Sequence, residues 1–496
     1  MRTFISYFSP LIVILIFASS CVVQESAITG TKRAFAYSWD QEIQIGQEVD
    51  REIVSEFGLY EDEEINEWFD RISHEILGNS HMRREGTADR FRETEFYFRV
   101  LDSPVVNAFA LPGGYVYVTR GLLAHMNNEA QLAVVIGHEI GHVAARHASQ
   151  RGLQQTISSV VLLGGAILGQ ELLGLPGESI LNISGTAAQL LFLSNSRNHE
   201  RESDRLGVEY AAKTGYAAAE GAAFFTSLRR ISERSGQTLP NFLSTHPDPG
   251  ERERNIPRKA QEWRERGFEQ TIYNTEEYLQ RLLGLTYGNN PRNGFHEDGF
   301  YFHPELEFTF PYPSGWQLIN QPTQVVMVSG EGDAVMILRI DNESSTARAS
   351  VQRFLEQNNA EATEQRSRTS SGSIPAYEAN FTVEDGNQTL GVHVYALEYG
   401  GRVYRFINYS AQNQFESFKE NFASTTSQFS RLTDERILNI RPVTIDLLQT
   451  TERRRFRDLL PSQLPMNIDP EEIAIINQVY LDDMIEPGTI LKIPTQ

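Results

Sequence analysis

The chain of 496 residues holds a single cysteine, Cys21, so an intramolecular disulfide is excluded. Basic residues are in deficit: 44 Lys and Arg stand against 65 Asp and Glu, a net charge of -21. That balance excludes nucleic acid as the main partner, because phosphate binding needs a basic surface. It also excludes adhesion to anionic lipid by charge alone. Long apolar runs are lacking too. The nearest to a membrane span, Ile157 to Gly169, is interrupted by Gln170-Glu171 and then Pro176-Gly177. It falls short of the roughly 20 residues needed to cross. What remains is ordinary for folded protein, 40% hydrophobic and 22% charged, in a length that allows about two to four domains.

The stretch Val134-Val135-Ile136-Gly137-His138-Glu139-Ile140-Gly141-His142-Val143 organises the rest. Positions i and i+4 share a helix face, so His138 and His142 can point at one metal ion. Their imidazoles would fill two corners of a zinc tetrahedron. Glu139 is placed to take a proton from a zinc-bound water, whose pKa the metal lowers to about 7. The rival reading is a helix with two surface histidines. The apolar flanks oppose it, since a helix this apolar is expected to be buried, and unpaired polar groups there would be costly. We expect one zinc ion per chain.

A third ligand is sought in Ser196-Arg197-Asn198-His199-Glu200-Arg201-Glu202-Ser203-Asp204. Glu200 and Glu202 compete, on different faces of the predicted helix. Glu200 and Asp204 are spaced i, i+4, so one can ligate while the other orients a histidine ring. His147 lies five residues past His142, off the ligand face of an unbroken helix running to about Arg151. It reads as a solvated or hydrogen-bonding histidine.

Upstream, Leu11 to Phe17 is apolar and Ala18-Ser19-Ser20 precede Cys21. This resembles a bacterial lipoprotein signal, with Ala18 where Leu is usual. The resemblance implies cleavage, lipidation of Cys21 and a membrane attachment through it. Val22 after the cysteine, where an Asp would retain the protein at the inner membrane, suggests the outer membrane of a Gram-negative bacterium, facing the periplasm. Residues 22–39 are small and polar and read as a tether. Helices are predicted from Gln41 to Phe57 and after Asp62-Glu63-Glu64, and a strand over Glu95 to Val100. Asn107-Ala108-Phe109-Ala110 with Pro112-Gly113-Gly114 reads as a hairpin running into Tyr115 to Val118. An edge strand here could take an extended peptide by strand addition; the plainer reading is a hairpin feeding the core. Thr119 is a candidate cap, and residues 153–193 read as helices packed near the site, whether as lid, core or membrane contact.

Asn107-Ala108-Phe109-Ala110 with Pro112-Gly113-Gly114, His138-Glu139-x-x-His142, and Ser196-Arg197 with Glu200-x-x-x-Asp204 together resemble the CAAX-prenyl-protease-like zinc metallopeptidases of the HtpX/BepA type. The likeness is greatest to their soluble periplasmic branch and covers about residues 40 to 260. Ser244-Thr245-His246-Pro247-Asp248-Pro249 with Arg252 and Arg254 matches a further family segment. The resemblance implies Glu200 as third zinc ligand, Glu139 as general base, Asp204 behind a ligand ring, and Asn107 to Ala110 along the substrate. His246 would either donate to the oxyanion or occupy the fourth zinc position; the alternative is a hydrogen-bonding loop histidine. Unlike the integral members, the chain shows no set of spanning helices, and unlike some soluble ones its downstream part does not read as tetratricopeptide repeats.

Gln261 to Leu283 reads as a charged helix and Gly288 to Gly294 as a linker. Strands at 306–310, 324–328, 334–340, 377–383, 390–399 and 402–409, with helices at 351–357 and 415–422, give an α+β domain over 298–432. It holds no titratable cluster suggesting a second active site. Residues 437–496 loosely resemble a LysM module, a βααβ unit, which would make peptidoglycan a partner; Asp446-Leu447-Leu448 replaces its usual glycine-aspartate turn. The fold class is α+β: a mainly helical zincin-type domain (40–285), the α+β domain and the LysM-like module, after a signal segment (1–21) and the tether. The function expected is a zinc-dependent endopeptidase of the cell envelope acting on protein or peptide substrates. Its rival is a non-catalytic assembly chaperone using the same groove.

Overall fold

A computed structural model describes residues 22–152, 195–235, 242, 246, 249–385, 388–465 and 468–496. The expected signal segment, Cys21 and the apolar stretch 153–193 lie outside them. Among the described residues no helix is long and apolar enough to cross a membrane.

The helix Glu129–Ala145 is the axis of the structure, and every one of its residues is buried. A helix apolar all round must be covered on all sides. Glu63–Gly78, Arg197–Thr214 and Gly221–Ser235 pack around it. Asn128 caps it by accepting from the Gln131 amide. Glu129 sits in its first turn, where the helix dipole favours a carboxylate. Trp68 Nε1 and Asn274 Nδ2 each donate to Glu129 at 2.6 Å, and the Tyr216 hydroxyl at 3.2 Å.

Beside the helix lies a three-stranded sheet in the order β3 (Tyr97–Leu101), β5 (Tyr115–Thr119), β4 (Ala108–Leu111). β3 pairs parallel with β5 and β4 antiparallel, so β4 is an edge. The turn joining β4 to β5 needs glycine. Gly113 has φ +81°, and a Cβ there would lie 2.5 Å from Ile43 Cα. Thr119 caps the short helix Arg120–Ala124, as its position suggested.

Three expectations are corrected. Residues 22–39 are not a tether: β1 (Val22–Glu25) and β2 (Lys32–Phe35) form an antiparallel hairpin, and Phe35 is buried. The metal-motif helix does not run on to Arg151. It stops at Ala145, Arg146 takes the left-handed conformation at φ 60°, and helical residues resume at His147. Gln261 to Leu283 is two helices, Pro249–Glu265 and Thr275–Arg281, broken around Gly267 with φ +93°.

The hairpin explains the stop at Arg146. Its guanidinium is fully buried and reaches Glu42 at 2.7 Å, Gln24 Oε1 at 3.0 Å and the Tyr37 carbonyl at 2.6 Å. It also covers the Phe35 ring at 3.7 Å.

Downstream, a seven-stranded antiparallel sheet is ordered Glu364–Ser370, Ile374–Asp385, Gln388–Tyr399, Arg402–Ala411, Ala334–Asp341, Gln324–Val328, Gln317–Gln321. Ala347–Gln357 packs on one face and Phe415–Ser427 on the other. A four-stranded sheet of 295–297, 300–303, 308–311 and 430–431 completes it. Residues 444–495 form an antiparallel pair, Thr444–Gln449 with Ile490–Thr495, around a 3-10 turn Phe456–Leu459 and the helix Pro470–Ile476.

This last unit shares a core with the helical domain, since Ile445 and Ile476 join the main hydrophobic cluster. Lys492, wholly buried, donates to the carbonyls of Ala124 and Met126 at 2.6 Å each. Asn127 Nδ2 donates to the Asn477 carbonyl and Gln131 bonds Gln478, so the unit grips the start of the metal-motif helix.

Arg146→Ala should cost about 3–5 kcal/mol, because Glu42 would stay buried without its partner. A urea or thermal melt checks this; a loss below about 1 kcal/mol would show that the pair does not hold the hairpin down.

Candidate metal centre

Two helices must come unusually close for the motif histidines to meet a glutamate. Gly137 and Gly141 face Arg197–Thr214, and Gly207 faces back. A Cβ on Gly207 would lie 2.8 Å from both His138 N and Val134 O; one on Gly137 would lie 2.9 Å from Gly207 O. With no side chains between them, the first turn of Arg197–Thr214 brings Glu200 to the motif. Ser196 caps that helix by accepting from the His199 amide.

His138, His142, Glu200 and His246, all buried, converge so that one ligand atom from each lies within 4.8 Å of the others. His138 Nε2 is 2.9 Å from His142 Nε2. Glu200 Oε2 is 3.4 Å from His138 Nε2, and Glu200 Oε1 is 3.4 Å from His142 Nε2. His246 Nδ1 is 3.0 Å from Glu200 Oε2 and 3.2 Å from His138 Nε2. Its Nε2 points toward Glu139, 3.6 Å from Oε1. Phe242 stacks on the His246 ring at 4.5 Å.

Behind these atoms, Asp204 Oδ1 lies 3.0 Å from His138 Nδ1, close but off the line of a good hydrogen bond. Arg252, buried, donates its Nε to Asp204 at 3.0 Å and its Nη2 to Glu200. Glu202, the rival to Glu200, points away and meets His147. The structure thus brings Glu200 and Asp204 to the histidines and leaves Glu202 outside the cluster. In the sequence, Arg252 stands out only as part of the segment that resembles the family. Its bridge between two carboxylates needs the helix Pro249–Glu265 folded against Arg197–Thr214, which sequence spacing does not reveal.

The edge strand is at the same place. Phe109, Ala110, Leu111 and Pro112 line one cleft with Glu139, His142 and His246. Asn107 and Ala108 do not line it: Ala108 is in the main core, and the Asn107 amide donates to Thr119 Oγ1.

Burial pushes the Glu139 carboxyl up, against the opposing pull of His246 and His138. Burial would do the same to Glu200, but His246, His142 and His138 outweigh it and hold that carboxyl well below its usual range. Burial keeps His142 well below the ordinary imidazole value. At His138, burial is outweighed by Asp204 and Glu200, and the imidazole rises to about 9.

These residues fit a bound zinc ion. Two imidazole nitrogens and carboxylate oxygens converge on one point, and Glu200 Oε1 and both oxygens of Glu139 are buried without a hydrogen bond among the described residues. Buried polar atoms without partners are costly; a divalent cation with N and O ligands would satisfy Glu200 Oε1, and a water on it would satisfy Glu139.

Metal analysis of purified variants tests which carboxylate matters. Glu200→Gln should lower zinc content sharply from one per chain, while Glu202→Gln should retain it; the opposite ranking would reject Glu200.

The profile of Peptidase family M48 matches residues 70–260. The beta-barrel assembly-enhancing protease of Yersinia pestis is 28% identical over 266 residues, 52% of this chain and 51% of that protein. Its counterpart in Escherichia coli K12 is 27% identical over 274 residues, 54% of this chain and 53% of that one. The mitochondrial metalloendopeptidase OMA1 of Bos taurus is 33% identical over 173 residues, 34% of this chain and 32% of that one. The chain spans about half the length of the bacterial relatives it matches. Residues 70–260, which match the M48 peptidase family, contain every residue of the converging cluster.

Proposed function

We propose that the chain is a zinc-dependent endopeptidase of the bacterial cell envelope, cleaving misfolded or misassembled envelope proteins. One observation carries the chemistry: Glu139, buried, has no hydrogen-bond partner among the described residues and lines one cleft with His142 and His246 of the converging cluster. His138, His142 and Glu200 would hold zinc, which when bound supplies an acidified water and polarises the scissile carbonyl. Glu139 accepts the proton of the attacking water on a carboxylate oxygen and delivers it to the leaving amine. Asp204 orients His138 through Nδ1. The outer edge of β4, which among the described residues pairs only with β5, takes an extended substrate by main-chain hydrogen bonds, with Phe109 and Ala110 lining the cleft.

His246 belongs to the same proposal. Its Nδ1 stands among the ligand atoms, 3.0 Å from Glu200 and 3.2 Å from His138. Were zinc bound, His246 Nδ1 would fill its fourth position in place of water and hold the site latent until substrate displaces the ring. The rival role, donation to the oxyanion, requires the ring to turn toward substrate.

The likeness to bacterial beta-barrel assembly-enhancing proteases supports an envelope substrate. We place the protein in the periplasm of a Gram-negative bacterium, lipid-anchored to the outer membrane through Cys21. The paired strands and helix of residues 444–495 are compatible with a LysM-like module and peptidoglycan as partner. Residues 298–432 act as scaffold or hold substrate.

Casein degradation separates protease from chaperone. Glu139→Gln should abolish it with zinc retained; equal rates for Glu139→Gln and wild type would leave the chaperone reading. His246→Ala should raise basal proteolysis if the residue blocks the site, whereas a loss of about 100-fold would make it an oxyanion donor. Cys21→Ser should shift the protein from the membrane fraction to the soluble periplasm, and unchanged fractionation would remove the lipid anchor.

A further inference from the structure

The break at Arg146 places a histidine where an unbroken helix could not. Five residues along a continuous helix turn a side chain about 140° away from the starting face. With Arg146 left-handed, the chain instead folds back, and His147 Nδ1 comes to 2.9 Å from His142 Nδ1. His147 is 1% exposed, and its other nitrogen, Nε2, lies 3.4 Å from Glu202 Oε2. His199 stacks flat on the His147 ring, centroids 4.3 Å apart, and fixes its plane. Ser203 Oγ approaches the same Nδ1 as a longer contact, at 3.3 Å.

We infer that Glu202 and His147 form a relay that sets the tautomer of His142; both are positioning residues. The inference rests on the reading of His142 as a metal ligand. The logic follows from which atoms can donate. His142 Nε2 faces the converging donors, so a metal ion needs its lone pair there. The ring proton is then on Nδ1 and can go only to an acceptor. His147 Nδ1, the atom it meets, must be unprotonated, so His147 carries its own proton on Nε2. That proton is donated to Glu202, which as a carboxylate can only accept. Three side chains thus have one consistent arrangement of protons, and it ends with a lone pair aimed at the metal.

The two histidines of the motif are therefore supported differently. His138 has a carboxylate, Asp204, directly behind it, itself held by Arg252. His142 has a carboxylate one ring further away. Glu202, which competes with Glu200 on sequence grounds, serves the same metal from the far side of two imidazoles.

Zinc affinity by chelator competition tests the relay without recourse to activity. Outer partners of ligating histidines typically change metal affinity by about 10–100-fold when removed. Glu202→Leu removes the acceptor at a side chain that is 27% exposed, and should weaken zinc about tenfold with little change in melting temperature. Glu202→Gln keeps an acceptor oxygen and should stay within about twofold of wild type. His147→Leu should weaken zinc at least as much as Glu202→Leu. The double variant should be no weaker than His147→Leu alone, since both act through one path. Wild-type affinity in Glu202→Leu, or losses that add in the double variant, would overturn the relay. Glu200→Gln is the control: if it retains zinc, the ligand assignment itself fails, whereas if it loses zinc while Glu202→Leu does not, only the relay falls.

Discussion

The closeness of two helix backbones is the constraint on which the rest depends. His138 and His142 come from one helix and Glu200 from another, and their ligand atoms must share a space only a few ångströms wide. Leucine-sized residues at the crossing would hold the axes about 8–10 Å apart. Here glycine meets glycine, and even a methyl at 207 would collide with the backbone at His138 and Val134. The crossing also puts Glu200 in the first turn of its helix, where the dipole favours the negative charge. Site and packing are thus one feature: widening the crossing would separate the ligands.

Such closeness buries charge, and the surrounding elements are arranged to pair it. Glu200 and Asp204 share Arg252, supplied by a third helix. Glu129 at the start of the axial helix takes three donors from three other segments. Arg146 at its end is matched by Glu42 and the N-terminal hairpin. Lys492, for which burial alone holds the ammonium well below its usual pKa, is met by two carbonyls beside that helix. Breaking any of these pairs leaves the other member unpartnered in a dry interior, which costs more than the pair contributed. The hairpin and the C-terminal unit, remote in sequence, therefore hold the two ends of the helix that carries the histidines.

Much of this was legible where periodicity speaks. The helices Trp39–Phe57 and Glu63–Gly78, the hairpin of β4 and β5, and six strands of the larger sheet domain have apolar residues at the spacing their elements need. The losses have particular causes. Left-handed arginine carries no signal, because glycine and asparagine are the usual residues there, so the break before His147 was invisible. Glu364–Ser370 is exposed along nearly its whole length at a sheet edge, and a strand without a buried face does not alternate. The hairpin of residues 22–35 has few large apolar residues, with Ala27, Ile28 and Phe35 buried, and reads as a tether until Arg146 is seen above the Phe35 ring. Glu202 competes with Glu200 for the ligand role in the sequence but lies outside the converging donors, and its contact with His147 shows only with the break at Arg146.

Burial by itself does not decide what a carboxylate in this site does. Glu139 and Glu200 are both almost wholly buried, and desolvation pushes both toward the neutral acid. They diverge because of what each one faces. Glu200 lies against His138, His142, His246 and Arg252, a field that keeps it ionised through any proton movement nearby. Glu139, one residue from His138 but turned to the cleft, faces His246 at 3.6 Å and has no hydrogen-bond partner among the described residues; burial outweighs the pull of His246 and His138, and its affinity for a proton is raised. A group that must keep its charge and a group that must take up a proton can therefore stand within one small space. The helix geometry makes the division: His138 and His142 share the face toward Glu200, and the intervening position turns Glu139 aside from it.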